Sequence, residues 1–189
     1  MRLILGLGNP GEEYRDTRHN VGFRVIDELA RRFEVPVERL ECNALAGRLR
    51  PGEDEALLAK PQTYMNRSGY AARCFAERYG LEPAAMLVVY DEVDLPLGRI
   101  RLRPAGSPAG HRGLESVIEN LRTPEVPRLR LGVSPGERRP QGEEMVGFVL
   151  SPFAPEEQEA AGEMVRRAAD ACETWLREGV EMAMRRHNG

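Results

Sequence analysis

The order of apolar and polar positions along the chain predicts strands that alternate with helices. Over several segments, apolar residues recur at intervals of three and four, which is the spacing of one helix face. The first of these segments begins after Asn20, and the others lie at 66–79, near 112–121 and from 155 to 179. Short apolar or alternating runs predict strands at 3–5, 44–50, 55–60, 86–90, 99–103 and 128–131. The pattern predicts an α/β fold, a single-domain three-layer sandwich with a twisted mixed β-sheet flanked by helices.

Turn residues indicate where several of these elements end. Gly80 follows the helix at 66–79, and Pro51-Gly52 joins two predicted strands into a hairpin. We expect Asn20 to cap the first helix. Residues 134–144 combine proline, glycine and charge, so we expect a mobile surface loop there.

Length and composition narrow the class of protein. A chain of 189 residues fits one domain over 1–189, and its 41% hydrophobic and 30% charged residues exclude a disordered chain. No apolar run approaches the roughly 18 residues of a membrane span, and the N-terminal run is too short for a signal peptide. The three cysteines, Cys42, Cys74 and Cys172, lie far apart without CxxC spacing. This argues against a zinc ribbon or a disulfide scaffold and favours a reducing cytoplasm.

The net charge of −3 conceals a basic segment. Nine arginines and four acidic residues lie between Arg99 and Arg139, a local charge of +5. A basic zone can attract phosphate groups even when the whole chain is acidic. A solvated arginine-rich surface without a ligand explains the same charges, so both interpretations stay open.

Polar side chains follow three of the predicted strands. Asn9 comes after the first strand, Asn66 follows the strand at 55–60, and Asp91 comes directly after the strand at 86–90. If these strands run roughly parallel, the three side chains meet at the sheet edge where open α/β sheets bind ligands. His19, in the loop after the first strand, can reach the same edge. A histidine, a carboxylate and two amides can activate water and hold a carbonyl group.

Each of these residues also has a structural interpretation. His19 could be a surface histidine beside a helix cap, Asn9 a turn residue and Asn66 an N-cap. Asp91, placed after a buried strand, is the hardest to explain by structure alone. His111 lies in a glycine-flanked loop and receives no role from this pattern.

Other kinds of site find little support in the sequence. Residues 6–11 match the GxGxxG dinucleotide fingerprint, but the helix begins only near residue 20 and position 31 is arginine rather than an acid. The sequence contains no HExxH or comparable metal-ligand cluster and no GxSxG elbow. We therefore expect neither a metal nor another cofactor, and water rather than a side chain as the nucleophile.

Several long motifs resemble those of one enzyme family. They are Gly6-Leu-Gly-Asn-Pro-Gly-Glu-Glu-Tyr-Arg-Asp-Thr-Arg-His-Asn-Val-Gly22, Lys60-Pro-Gln-Thr-Tyr-Met-Asn-Arg-Ser-Gly69, Asp91-Glu-Val-Asp-Leu-Pro-Leu-Gly98, Gly106-Ser-Pro-Ala-Gly-His-Arg-Gly-Leu114 and Val146-Gly-Phe-Val-Leu150. In this order they resemble the motifs of bacterial-type peptidyl-tRNA hydrolases. The resemblance implies hydrolysis of the ester between a peptide and the 3′ ribose of tRNA, which recycles tRNA from stalled or dropped-off peptidyl-tRNA.

The resemblance also implies roles for individual residues. His19 would be the general base, Asp91 would orient it, and Asn9 would help to select peptidyl over free aminoacyl esters. Asn66 would hold the substrate carbonyl or the terminal nucleotide, while Tyr14, Tyr64 and Met65 would line the substrate cleft. Arg103 and Arg130 would form a phosphate clamp.

One position departs from the family pattern. The chain has Arg112 after His111, where the family usually has an asparagine that contacts substrate. Arginine can donate hydrogen bonds but cannot accept them, and it adds a charge. Arg112 therefore either contacts a phosphate or points to solvent.

Two other functions remain compatible with the sequence. A non-catalytic RNA-binding protein on the same fold would bind structured RNA without cleaving the ester, and a dinucleotide-dependent enzyme would bind nicotinamide or flavin. The complete set of His19, Asp91, Asn9 and Asn66 favours the hydrolase. The expected form is a cytoplasmic monomer with peptidyl-tRNA as its partner and no membrane contact.

Overall fold

Seven strands form one mixed β-sheet in the computed structural model, which describes residues 1–136 and 138–189. In chain order the strands are β1 (Arg2–Gly6), β2 (Arg39–Glu41), β3 (Ala44–Leu49), β4 (Ala56–Pro61), β5 (Met86–Pro96), β6 (Ile100–Arg103) and β7 (Arg128–Ser134). The α-helices of the described residues are α1 (Val21–Phe33), α2 (Ser68–Tyr79), α3 (Arg112–Leu121), α4 (Glu143–Val149), α5 (Gln158–Glu178) and α6 (Val180–His187).

The strand order across the sheet is β2-β3-β4-β1-β5-β7-β6. The central strand β1 runs parallel to both β4 and β5, and β5 runs parallel to β7. Leu5 of β1 therefore lies between Ala59 of β4 and Val88 of β5. The remaining strands β2, β3 and β6 pair antiparallel with their neighbours towards the two sides of the sheet. The carboxyl ends of four strands consequently lie along one edge.

Each face of the sheet is covered by its own helices, which gives three layers. Helices α1, α5 and α6 cover one face, in a core that contains Ile4, Ile26 and Trp175. Helices α2 and α3 cover the other face, where Leu5 and Phe75 are buried. Successive strand residues point to opposite faces. Because both faces are covered, the central strands are continuous apolar runs rather than alternating ones.

Two glycines allow α1 to begin in direct contact with the sheet. A Cβ atom on Gly22 would collide with the carbonyl oxygen of Val89 and the backbone of Leu7. A Cβ atom on Gly6 would collide with the carbonyl oxygen of Gly22. Only glycine permits such a close approach of two backbones. The short turn at 18–20 that precedes α1 is therefore held beside the carboxyl ends of β1 and β5.

The α/β sandwich predicted from the sequence is confirmed. The predicted hairpin is the antiparallel pair β3-β4. Helix α2 ends at Gly80, which has a left-handed φ of 63°. The long C-terminal helix ends at Gly179, as predicted. None of the helices in the described part of the chain is long and apolar enough to cross a membrane.

Some local predictions differ from the structure. Strand β5 continues through Asp91 to Pro96, because β7 pairs with it beyond the apolar run. Asn20 makes no capping bond to α1, since its side chain binds the backbone of Asn9 instead. The short elements β2, α4 and α6 were not predicted. Helix α4 begins at Glu143, within the expected loop at 134–144, and residue 137 of that loop lies outside the described residues.

The cysteines require a correction to the sequence analysis. Cys42 and Cys74 form a disulfide bond, with their Cα atoms 5.4 Å apart. Cys42 lies in the two-residue turn between β2 and β3, at a left-handed φ of 52°, and Cys74 lies on α2. Their separation of 32 residues along the chain gave no sign of this contact, which tertiary packing creates. Cys172 is a buried free cysteine, and burial raises the pKa of its thiol.

We predict that reduction of this disulfide destabilises the protein without unfolding it. Closing a loop of 32 residues restricts the unfolded chain and contributes about 3.7 kcal/mol. That corresponds to a fall in Tm of about 7–15 °C for a chain of this size. Calorimetry with and without reductant, combined with a thiol count on the denatured protein, measures the effect. The Cys42→Ser, Cys74→Ser double variant serves as the control, because its Tm should not respond to reductant. A disulfide-bonded protein whose Tm does not change on reduction would contradict the prediction.

Candidate active site

The carboxyl ends of β1, β4 and β5 bring together the polar residues that follow them. Asn9 follows β1, a short 3-10 turn at Met65–Arg67 follows β4, and Asp91 lies within β5. The side-chain Oδ1 of Asn9 accepts a hydrogen bond of 2.7 Å from the backbone N–H of Met65. The parallel pairing expected from the sequence therefore places these segments in contact.

The centre of this edge is the carboxylate of Asp91, which contacts two imidazoles. Nδ1 of His19 lies 2.9 Å from both Asp91 oxygens, and Nε2 of His111 lies 2.9 Å from Oδ1. The Asp91 side chain is 2% exposed, whereas that of His19 is 15% exposed. The carboxylate is thus enclosed, while the outer part of the His19 ring reaches open space.

Hydrogen bonding assigns the proton positions on both rings. Nδ1 of His111 accepts the backbone N–H of Leu114, at the N-terminus of α3, so Nε2 carries the proton that is donated to Asp91. The carboxylate of Asp91 can only accept, so it also draws the proton of His19 to Nδ1. Nε2 of His19 is then an unprotonated nitrogen, available as a base.

Charge and burial act in opposite directions on these pKa values. Burial alone would lower the pKa of His19, but the charge of Asp91 and its hydrogen bond outweigh it and raise the pKa above 6.5. Burial alone would raise the pKa of Asp91, but the two histidines lower it far below its usual range. The pair is therefore an ionised carboxylate beside a histidine of increased basicity.

The same three side chains form a cluster of potential metal ligands. The ligand atoms of His19, Asp91 and His111 lie within 4.8 Å of one another. A metal ion would need Nε2 of His111 as a free lone pair, which would move the ring proton to Nδ1, against the N–H of Leu114. The hydrogen bonds therefore favour a proton-transfer site over a metal site.

Asn20 connects His19 to the other side of the site. Its side chain accepts a hydrogen bond from the N–H of Asn9 and donates one to the Asn9 carbonyl, each 2.9 Å long. Asn20 is almost completely buried. Because Asn9 in turn binds Met65, one chain of hydrogen bonds joins the His19 turn to the segment after β4.

These residues line a cavity of about 380 Å³, called here the sheet-edge cavity. Its polar floor contains Asn9, His19, Asp91 and His111. The apolar part of its lining includes five residues that are called here the apolar wall: Val93, Met145, Val146, Val149 and Leu150. Four of these five apolar residues belong to α4 or directly follow it. A substrate in the cavity would therefore contact both hydrogen-bonding groups and apolar side chains.

The structure places most, but not all, of the proposed substrate residues in this cavity. Tyr64, Met65, Asn66 and Arg112 line it, and Tyr64 is 59% exposed at its mouth. Tyr14 does not line it, because the residue lies in a separate 3-10 turn at Glu12–Tyr14, beyond the loop that carries Asn9. A cleft role for Tyr14 therefore has no support in the geometry.

A second and more open cleft, of about 1510 Å³, lies on the other side of Asn9. Its lining combines acidic and basic side chains, among them Asp27 and Lys60, whose charged groups pair at 2.6 Å. Neither His19 nor Asp91 lines it. His19 and Asp91 therefore line the sheet-edge cavity and not the larger cleft.

The arginines of β6 and β7 lie on one face of the sheet. Arg101 pairs with Arg130 and Arg103 with Arg128 across the two strands, and residues paired in this way point to the same side. Arg128 is buried, and its guanidinium donates to four backbone carbonyl oxygens, so its role is structural. Arg103 and Arg130 are partly exposed. Nε of Arg130 binds Glu92, which also lines the sheet-edge cavity.

Two parts of the site carry little signal in the sequence. His111 lies in a glycine-flanked loop that indicates no role for it, yet it caps α3 and binds Asp91. Its signal was the position directly before the helix at 112–121, where a polar side chain caps the helix. The apolar wall gave no comparable signal, because α4 has only seven residues and follows a loop rich in glycine and proline.

Known proteins resemble this chain over most or all of its length. Residues 3–189 match the family described as peptidyl-tRNA hydrolase. A peptidyl-tRNA hydrolase from Synechococcus sp. (strain JA-3-3Ab) is 50% identical, over 100% of this chain and 83% of its own length. One from Aquifex aeolicus is 48% identical, over 89% of this chain and 86% of its own length. The crystal structure of peptidyl-tRNA hydrolase from Acinetobacter baumannii superposes with a TM-score of 0.92 at 34% identity, covering 100% of this chain and 95% of that one.

The fold and these matches define an α/β enzyme of the hydrolase class. More specifically, the chain belongs to the peptidyl-tRNA hydrolase family.

The pairing of His19 with Asp91 makes a prediction about titration. We expect the imidazole of His19 to titrate above 6.5 in the wild type, and below 6.5 in Asp91→Asn, because burial then acts without the opposing charge. NMR of ring-labelled histidine measures both midpoints. His187, which binds Thr174 on α5, is the internal control and should titrate identically in both proteins. Equal His19 midpoints in the two proteins would show that Asp91 does not control its basicity.

Proposed function

We propose that the chain cleaves the ester bond between a peptide and the 3′ ribose of peptidyl-tRNA, and so recycles tRNA from stalled or dropped-off peptidyl-tRNA. The observation that carries this proposal is the contact of His19 with the buried Asp91 at the floor of an open cavity. Family membership supports the substrate, and this pair supplies the base that ester hydrolysis requires.

In the proposed reaction, Nε2 of His19 takes a proton from water while the water oxygen bonds to the ester carbonyl carbon. The imidazolium that forms is stabilised by the charge of Asp91. The tetrahedral intermediate then expels the 3′ oxygen of the ribose, which takes the proton from Nε2. The products are a peptide with a free carboxyl group and a tRNA with a free 3′ hydroxyl.

Amide groups are suited to hold the substrate during this reaction. Because Oδ1 of Asn9 accepts the Met65 N–H, the Asn9 NH₂ group remains a donor towards the cavity. A peptidyl ester offers that donor an amide carbonyl oxygen, whereas a free aminoacyl ester offers a charged ammonium, which would be repelled. Asn66, exposed at the rim, is a candidate donor to the developing oxyanion.

The tRNA would lie across the mouth of the cavity and the arginine face. Tyr64 presents a ring on which a base can stack. Arg103 and Arg130 form the proposed phosphate clamp, and Glu92 fixes the Arg130 side chain beside the cavity. Arg112 is exposed at the rim and is the proposed contact for a phosphate near the ester, in place of the family's asparagine.

We further propose that the chain acts in the cytoplasm, where its tRNA substrate is produced, as a single domain over 1–189. One sheet shared by two cores supports the single domain. We also propose that the chain acts as a monomer. The reaction as proposed uses only side chains and water.

The first test of this function is His19→Ala. Loss of general-base catalysis should lower kcat by about 10²-fold or more and leave the affinity for tRNA largely unchanged. The assay compares cleavage of N-acetyl-aminoacyl-tRNA with that of free aminoacyl-tRNA, and only the blocked ester should be cleaved quickly. His187→Ala, which changes a histidine outside the cavity, is the matched control. A His19→Ala protein within about threefold of wild-type kcat would remove His19 from the mechanism.

If Arg103 and Arg130 bind phosphates, replacing them should weaken the dependence of tRNA affinity on salt concentration. Each phosphate contact removed in Arg103→Ala and Arg130→Ala should lower the slope of log affinity against log salt by about 0.7–0.9 and raise KM. Filter binding of deacylated tRNA over a salt series measures the slope. Arg166→Ala on α5, an exposed arginine paired with Glu163, is the control for simple loss of charge. Identical slopes in wild type and the double clamp variant would reject the clamp.

A further inference from the structure

The residue before His19 is an almost completely buried arginine. The Arg18 side chain is 8% exposed, and its Nη2 forms an ion pair of 2.7 Å with Glu157, which is 16% exposed. Burying two charges stabilises a protein only where the pairing geometry is good, so a site of this kind indicates a specific structural demand. The proposed mechanism uses neither residue.

Arg18 joins its own turn to the end of α4. Nη1 donates to the carbonyl oxygen of Phe148 at 3.2 Å and to Oγ of Ser151 at 2.6 Å. The guanidinium lies over the Phe148 ring at 4.2 Å. The Arg18 backbone N–H also binds the Ser151 carbonyl at 3.0 Å. Side chain and backbone therefore both attach the turn at 18–20 to the segment after α4.

Glu157 extends this connection to the start of α5. The same Glu157 oxygen that pairs with Arg18 accepts the N–H of Ala154 at 2.9 Å. Arg18 is therefore held in place by the end of α4 and the beginning of α5. Helix α5 is itself fixed by its packing against the sheet.

The position of this connection relates it to the reaction. On one side it adjoins His19, and on the other it anchors α4, which carries most of the apolar wall of the sheet-edge cavity. The base and the wall lie on segments far apart in the chain. Their relative position sets where a substrate resting on the wall meets Nε2 of His19.

We propose that Arg18, held by Glu157, is a positioning residue for the hydrolytic reaction, which keeps His19 in register with the apolar wall formed by α4. This inference rests on the proposed function of the site. Arg18 itself touches neither the cavity nor the carboxylate of Asp91, so it acts through the two segments it joins.

The test compares Arg18→Gln with Arg32→Gln. Arg32 also connects two elements by ion pairs, from α1 to Asp170 and Glu173 on α5, but contacts no part of the cavity. It is therefore a control for loss of a partly buried ionic connection. We expect Arg18→Gln to lower kcat about 10- to 100-fold, because small displacements of reacting groups have effects of that size. Arg32→Gln should keep wild-type kcat at a temperature at which both variants remain folded by circular dichroism.

Further measurements separate positioning from general destabilisation. The affinity of Arg18→Gln for deacylated tRNA should match that of wild type, since the arginine face is unchanged. Arg18→Lys, which keeps the charge but not the forked donors, should recover part of the lost kcat. Glu157→Gln should lower kcat in the same direction, and combining it with Arg18→Gln should add little, because both act through one connection.

Two results would overturn the inference. One is wild-type kcat in Arg18→Gln, and the other is an equal loss of kcat in Arg32→Gln at an equal loss of Tm. If Arg18→Gln does not fold, Arg18→Lys and Glu157→Gln provide the same comparison. If the wild type fails to cleave the ester, the proposed function fails separately. The NMR signals of the His19 ring then still test the positioning, since they should shift in Arg18→Gln and not in Arg32→Gln.

Discussion

The site depends on one buried carboxylate, that of Asp91, and on the two imidazoles that contact it. A charge with so little exposure is costly unless several donors surround it, and His19 and His111 are those donors. Both rings donate to the carboxylate, but their second nitrogens have different surroundings. His111 is fixed in one tautomer by the N–H of Leu114, whereas His19 has one nitrogen bound and the other directed to the cavity. The carboxylate therefore determines which nitrogen of His19 is left unprotonated and open to the cavity.

Parallel strand pairing brings this carboxylate to the other polar groups. Because β1 lies between β4 and β5, segments that follow three different strands emerge at one edge. The close packing of Gly22 against β1 and β5 then places the start of α1, and the turn before it, above that edge. The turn is held on both sides, by Asn20 towards Asn9 and by Arg18 towards α4. These contacts restrict the position of the His19 turn without binding its imidazole ring.

In the proposed function, RNA binding and ester hydrolysis use different parts of the surface. The chain as a whole is acidic, with a net charge of −3, yet β6 and β7 present several arginines on one face. Their field acts over several ångströms and suits a polyanion, whereas the cavity acts on one ester through short contacts. Glu92 connects the two regions, since it binds Arg130 and also lines the cavity. The guanidinium of Arg128, within the basic segment, donates its hydrogen bonds to backbone carbonyl oxygens. The charge counted along a sequence therefore overstates the charge that is available to a ligand.

Much of the fold and half of the site could be read from the sequence, because they depend on local patterns. Apolar runs and helical spacing identified the main strands and helices, and polar residues after strands identified Asn9, Asn66 and Asp91. His19 was found in the same way, from a loop next to a helix start. The motifs that resemble peptidyl-tRNA hydrolases added the arginines of the proposed clamp, and also Tyr14, which does not line the cavity. These predictions required only neighbours in the chain and the parallel order of a few strands.

What only the tertiary structure decided concerns contacts between segments distant in sequence. The disulfide between Cys42 and Cys74, the contact of His111 with Asp91 and the attachment of Arg18 to α4 each join parts of the chain that no period or turn signal relates. Local patterns report which face of an element is apolar, and they carry no information about which partner covers it. The amino-acid sequence by itself therefore determined the elements and the chemical groups available. Packing across the sheet decided which of those groups meet, because only the folded chain brings their atoms within hydrogen-bonding distance.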